Sequence, residues 1–120
     1  MGAVMEQKPL PLLGRIDGPS VAPARVIALA KTYRQAVRLA WANRRVHYAT
    51  YRQMAAETGM TAQHVTDYMR NDDKPTRRDL PAHWIAAYEA FVGNTIVTQW
   101  LAAQSKLTVL EEVQAERMAA

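Results

Sequence analysis

Tyr51-Arg-Gln-Met-Ala-Ala-Glu-Thr-Gly-Met-Thr-Ala-Gln-His-Val-Thr-Asp-Tyr-Met-Arg70 is the stretch on which the fold of this chain turns. Thr50, just before it, can accept from the free amides of a first helical turn, and Gln53 can reach back to the Thr50 amide in a capping box. A helix begun there should end near Thr58, because Gly59 supplies the positive backbone angle that stops it. Thr61 then caps a further helix running to about Arg70. Two short helices that cross steeply bring their backbones close, which calls for a small side chain at Ala55. Val65 and Tyr68, with Met54 and Met60, then close a small hydrophobic wedge around the glycine turn. Small, glycine and β-branched residues at these offsets, with a cap at each helix start, have the grammar of a helix-turn-helix.

The second of these helices has a face left over. With Val65, Tyr68 and Met69 turned into the wedge, Ala62, Gln63, Thr66, Asp67 and Arg70 face outward. A helix of this width fits the major groove of B-DNA, where base edges present donors and acceptors. Gln63 can pair twice with adenine, Thr66 can meet a thymine methyl or a polar edge, and Arg70 can reach guanine or a phosphate. Ala62 permits close approach. Asp67 reads either as a filter that accepts from cytosine or as a bystander repelled by phosphates. The helix-start amides at Thr50 and Thr61, with Arg52, Gln53 and His64, are phosphate anchors on this reading.

Charge placement points the same way. The chain has 120 residues and a formal net charge of +4. Residues 25–78 alone carry +7 and the remainder −3, so the middle is basic and the ends acidic. That balance favours a polyanion as partner, and it adds Arg38, Lys74, Arg77 and Arg78 to the phosphate-contacting set. A solvated surface is the plainer explanation of the same charges.

Around this centre the chain reads as helical throughout. Residues 1–24 hold four of the six prolines and three of the five glycines and keep no helical or alternating period, which predicts a mobile arm. From about Pro23 to Arg44 the residues Val26, Leu29, Ala30, Tyr33, Val37, Ala40 and Trp41 recur at three- and four-residue steps, predicting one helix with an apolar stripe. Lys31, Arg34, Arg38 and Arg45 form a second stripe on it, either an ordinary wet face or a phosphate-facing one. Asp79 and Pro81 open a helix from Leu80 to about Val92, and Gly93 ends it. Asn94 caps another to about Gln104, and Leu107 onward forms a final tail. The expected fold is all-α: a compact bundle of about five helices over 25–105, with a helical tail at 106–120.

Residues 33–78 resemble the lambda-repressor-like (Cro-type) helix-turn-helix superfamily of phage and bacterial transcription regulators. The stretch from Tyr33-Arg-Gln-Ala to Glu111-Glu112, with Gly93-Asn-Thr-Ile-Val-Thr-Gln-Trp-Leu-Ala within it, is also similar to short regulators of proteobacterial prophage. The resemblance covers roughly two-thirds of the chain. It implies a double-stranded DNA operator as partner, bound by a dimer, with repression or activation left open. Tyr51 departs from the pattern, since many relatives open that helix with a polar, phosphate-contacting side chain; Arg52 or Gln53 would then take the role. A protein-interaction adaptor, or an antitoxin, is the alternative use of such a scaffold.

Trp84, Ile85, Tyr88, Phe91, Val92, Ile96, Val97, Trp100 and Leu101 complete the core. A part of that surface, with Trp100, Leu107, Val109, Leu110 and Val113, is alternatively a dimer interface. Other classes find little purchase. The chain has no cysteine, which excludes disulfides and thiol chemistry and fits a cytoplasmic protein. His47, His64 and His83 have no ligand spacing, so no metal or other cofactor is expected. Asp72-Asp73 and Glu111-Glu112 are adjacent and diverge, and no phosphate loop or nucleophile motif is present, so an enzyme is not expected. The uncharged run Ala90–Ser105 is interrupted by Gly93, Asn94, Gln99 and Gln104 and is no membrane span. No signal peptide is evident, because Leu10, Leu12 and Leu13 are broken by Pro9, Pro11 and Gly14.

Overall fold

The structure, a computed structural model, describes residues 18–105 and 109–119. In chain order these form seven α-helices: α1 Ala24–Ile27, α2 Tyr33–Ala42, α3 Tyr51–Thr58, α4 Ala62–Tyr68, α5 Ile85–Val92, α6 Ile96–Ser105 and α7 Val109–Ala119. A 3-10 turn at Ala82–Trp84 leads into α5. The only extended pairing among the described residues is an isolated parallel bridge between Ser20 and Asn94. The chain is therefore the compact all-α bundle that its periodicity implies.

α2 is the central brace, packing against α4, α5 and α6, while α3 packs on α4 and α5. Its buried Val37 and Ala40 meet Met54, Val65, Tyr68, Tyr88, Val92, Ile96 and Val97 in one core. Trp84, Ile85, Phe91 and Trp100 close that core from its edges, half-buried, and Leu101 stays exposed. Two buried polar groups tie the helix ends together. Asn94 donates to the carbonyls of Ala40 (3.0 Å) and Asn43 (3.3 Å), and its Oδ1 accepts from Ile96 N, capping α6 as expected. The Glu89 carboxylate accepts from both the amide and the hydroxyl of Thr98, each at 2.8 Å, so its charge is met by the start of α6. Gly93 needs its left-handed φ of 81°, and a Cβ there would lie 2.9 Å from the Arg45 side chain.

Three expectations are corrected. The single helix over Pro23–Arg44 is two helices: Thr32 breaks it, its Oγ1 accepting from Gln35 N, and Leu29 consequently stands in solvent. The break has a sequence signal that periodicity hides, a Thr and Gln at the same spacing as Thr50 and Gln53. The helix expected from Leu80 begins later. Leu80 is buried as a plug, Asp79 turns to Arg34, and Pro81 starts a 3-10 turn. The described part of the expected mobile arm, residues 18–23, is docked. Ser20 N donates to Gly93 O and Thr95 N to Ser20 O, both at 2.9 Å, and Gln99 exchanges two hydrogen bonds with Ala22. The rest of the arm, residues 1–17, lies outside the described residues.

Tyrosine hydroxyls set an alkaline limit on this fold. Tyr33 donates to Leu80 O at 2.7 Å, and buried Tyr88 donates to Val37 O. Burial, reinforced by Asp79 and Glu89, pushes the Tyr33 pKa up to about 12 from 10.0, and burial raises Tyr88 as well. Folding thus favours the protonated forms. The Tyr33 contribution is complete below pH 10.0 and falls away as pH climbs towards about 12, and that of Tyr88 is likewise lost only on the alkaline side. The thermal midpoint is expected to drop across that window, and to drop less steeply in Tyr33→Phe; an identical alkaline slope in the variant would count against this assignment.

Candidate nucleic-acid interface

The α3–turn–α4 unit forms as its sequence dictates. Thr50 Oγ1 accepts from Gln53 N (3.1 Å) and Gln53 Oε1 from Thr50 N (2.8 Å), completing the capping box. Gly59 ends α3 at φ 88°, with the Trp84 ring 3.9 Å from where a Cβ would sit. Met54, Ala55, Met60, Val65 and Tyr68 are all buried, so the wedge is real. One detail differs. Thr61 precedes α4 without a side-chain cap; Thr58 does the work in the turn, donating to Met54 O (2.6 Å) and accepting from Met60 N (3.3 Å).

Ala62, Gln63 and Thr66 are exposed along the side of α4 opposite the wedge, His64 is half-buried beside them, and Arg70, expected within the helix, is exposed just past its end at Tyr68. Thr66 Oγ1 donates to Ala62 O at 3.3 Å, a bond back into its own helix. Asp67 is the correction. Its side chain is only 16% exposed, and it accepts from Arg78 at 3.1 Å and lies 3.7 Å from Arg77. It belongs to the loop behind α4 rather than to the outward face. The repulsion that an acid would offer a phosphate is thereby internally neutralised.

That loop, residues 71–79, is held by a knot of paired charges. Arg34 is 8% exposed. It donates to the carbonyls of Asp67 (2.8 Å), Arg70 (3.1 Å) and Arg78, and meets the carboxylates of Asp73 (3.2 Å) and Asp79 (3.3 Å). Arg38 donates to Arg70 O (2.7 Å) and lies 3.5 Å from Asp73. Arg77 grips Asp72 with two donors at 2.7 and 3.1 Å, which holds the Asp72 carboxyl down to about 2. Two guanidiniums thus sit at the C-terminal carbonyls of α4, where positive charge is favoured. The stripe of Lys31, Arg34 and Arg38 is therefore neither a plain wet face nor an open phosphate-facing one at Arg34: the central arginine is an internal fastener. Arg45 is likewise spent, donating to Gly18 O and Gly93 O.

Of the residues expected to contact phosphates, Arg38, Arg77 and Arg78 have donors committed to their own chain, whereas Arg52 and Lys74 are exposed and make no side-chain bond to the described residues. Arg52 lies in the first turn of α3, beside the Thr50–Gln53 cap. Tyr51 there is accounted for by packing. Its ring tilts onto Trp41 at 4.8 Å, Arg44 lies over the same indole at 4.5 Å, and Phe91 stacks on Trp41 at 6.2 Å. Arg44 also donates to the carbonyls of Trp41, His47 and Ala49, stiffening the loop before α3. That loop presents Tyr48, 83% exposed, a residue the sequence reading missed because it falls between periodic segments.

At the other end of the chain, Trp100 points inward. It donates to Ala30 O at 3.0 Å and its ring tilts against Tyr33, so it packs on the core while staying partly exposed. Val113 is exposed; Leu107 and the side chains of Val109 and Leu110 lie outside the described residues. Among the described residues no helix is long and apolar enough to cross a membrane. No protein family, curated protein or solved structure matches this chain.

Proposed function

We propose that this chain is a sequence-specific double-stranded DNA-binding regulator of the phage or prophage type, reading the major groove with α4. The observation that carries this is the division of α4 into two sides. One is locked by Val65 and Tyr68 in the wedge and by Arg34 and Arg38 at its end; the other offers Ala62, Gln63 and Thr66, with Arg70 just past the helix, all exposed among the described residues. A helix positioned so rigidly and left polar on its free side suits readout of base edges. Phosphate contacts come from Arg52 and the free α3 amides on one flank and from Lys74 and Arg70 on the other. The regulator acts in the cytoplasm as a homodimer through its C-terminal third, which would place two copies of α4 about 34 Å apart on a palindromic operator.

A second reading, a protein-binding adaptor or antitoxin, draws support from Val46 and Tyr48. Both are exposed beside a cleft that Gln53, Glu57 and Phe91 also line. Selection from random duplex oligonucleotides separates the two. The expected outcome is an enriched, two-fold symmetric site whose affinity falls with salt, with Arg52→Ala and Lys74→Ala each shallowing the slope by roughly 0.9. A chain that enriches no sequence, and whose duplex retention ignores salt, is not a DNA-binding regulator.

A further inference from the structure

An open apolar groove of about 390 Å³ runs between α1 and the C-terminal half of α6, with Ile27, Ala28, Ala30, Trp100, Ala102 and Ala103 among its walls. Small side chains line most of it, so another helix can approach its backbone closely. Exposed Arg25 follows the groove residue Ala24 in α1, and exposed Lys31 donates to the carbonyl of the groove residue Ala28 at 3.3 Å, so both cations stand on the α1 side.

The same chain carries a helix whose described side chains are all exposed. Every residue of α7 from Glu111 to Ala119 is exposed, including Val113 at 41% and Met118 at 87%. Eleven residues are too few to hold a helix in water without a packing partner. α7 is also acidic: Glu112 and Glu116 lie four apart, on one side of it, next to Val113. An apolar position between carboxylates matches an apolar groove flanked by basic residues.

We propose that the α1–α6 groove receives α7 of a second copy of the chain, reciprocally, so that each protomer's acidic helix fills the other's groove. Val113 enters among the alanines, and Glu112 and Glu116 face Arg25 and Lys31. The exchange uses one patch on both copies and so closes as a two-fold dimer. A second copy is the fitting occupant because α7 of the same chain stands clear of its own groove. The proposal rests on the dimeric part of the functional reading and is independent of DNA.

The chain's lack of cysteine makes the test direct. Ala103→Cys and Val113→Cys are both at exposed positions, so each variant folds. Mixed and treated with a short bismaleimide, the two single variants are expected to yield a species of twice 13.5 kDa, joined through residues 103 and 113. Adding Arg25→Glu and Lys31→Glu to the Ala103→Cys copy should cut that yield several-fold, and further adding Glu112→Lys and Glu116→Lys to the Val113→Cys copy should restore it. A doubly substituted chain that links only within itself, or a sedimenting dimer that never joins 103 to 113, overturns the proposal; so does a full-length chain that sediments as a monomer. Duplex retention, measured on the same linked dimer, reports separately: a linked dimer that ignores DNA keeps this interface and removes the regulator reading.

Discussion

Replacing Arg34 with methionine is expected to lower the free energy of unfolding by about 2–4 kcal/mol. The side chain is 8% exposed, and three backbone carbonyls, those of Asp67, Arg70 and Arg78, accept from it. Its two carboxylate partners are themselves 46% and 62% exposed, so water screens those pairs and they contribute little. The cost arises instead from the Arg78 carbonyl left without its donor, from one donor fewer at the Asp67 and Arg70 carbonyls, and from a loop no longer fastened to α2. Methionine conserves the stem's bulk, which confines the loss to the guanidinium. Lysine cannot fork across several acceptors and should recover less than half of it. Chemical denaturation gives the magnitude; faster amide exchange over residues 70–79 should locate it. A loss under about 0.5 kcal/mol would mean that the knot only decorates the fold.

Gln63→Ala is expected to leave stability unchanged and to flatten recognition at one base pair, by about 1–3 kcal/mol or roughly 5- to 150-fold. Gln63 is exposed in the first turn of α4 with no bond to the described chain, and alanine is the better helix former. The loss should therefore appear as tolerance of a wrong base, with the salt slope intact, because an amide displaces no counterion. Competition binding with single-base variants of the selected operator measures it. Undiminished selectivity in the variant would move base reading to Thr66, Arg70 or another surface altogether.

The parts of this molecule that could be read beforehand are those governed by neighbours in sequence. The Thr50–Gln53 box, the stop at Gly59, the wedge of Ala55, Val65 and Tyr68, and the Asn94 cap all act within a few residues, and all form. The break at Thr32 is also local, hidden under a continuous apolar period, and the Thr61 cap is local and does not form; the rest of what escaped reading is set by groups far along the chain. Lys31, Arg34 and Arg38 share a helical stripe, and the period alone cannot tell what lies across from it. The carbonyls that draw Arg34 inward are 33 to 44 residues away. Asp67 looked outward for the same reason, since the arginines that turn it aside come 10 and 11 residues later, on the returning loop.

The two-sided character of α4 has a consequence for how this protein can change. Nothing that seats the helix belongs to the side left open: the seat is made by Val65, Tyr68 and the guanidiniums of Arg34 and Arg38. Ala62, Gln63 and Thr66 can therefore be rewritten as freely as the label on a drawer, without refitting the drawer. On the proposed function, a lineage carrying this scaffold can acquire a new address by mutation at little cost in stability, and a library randomised at those three positions without Gly or Pro should return folded proteins nearly throughout.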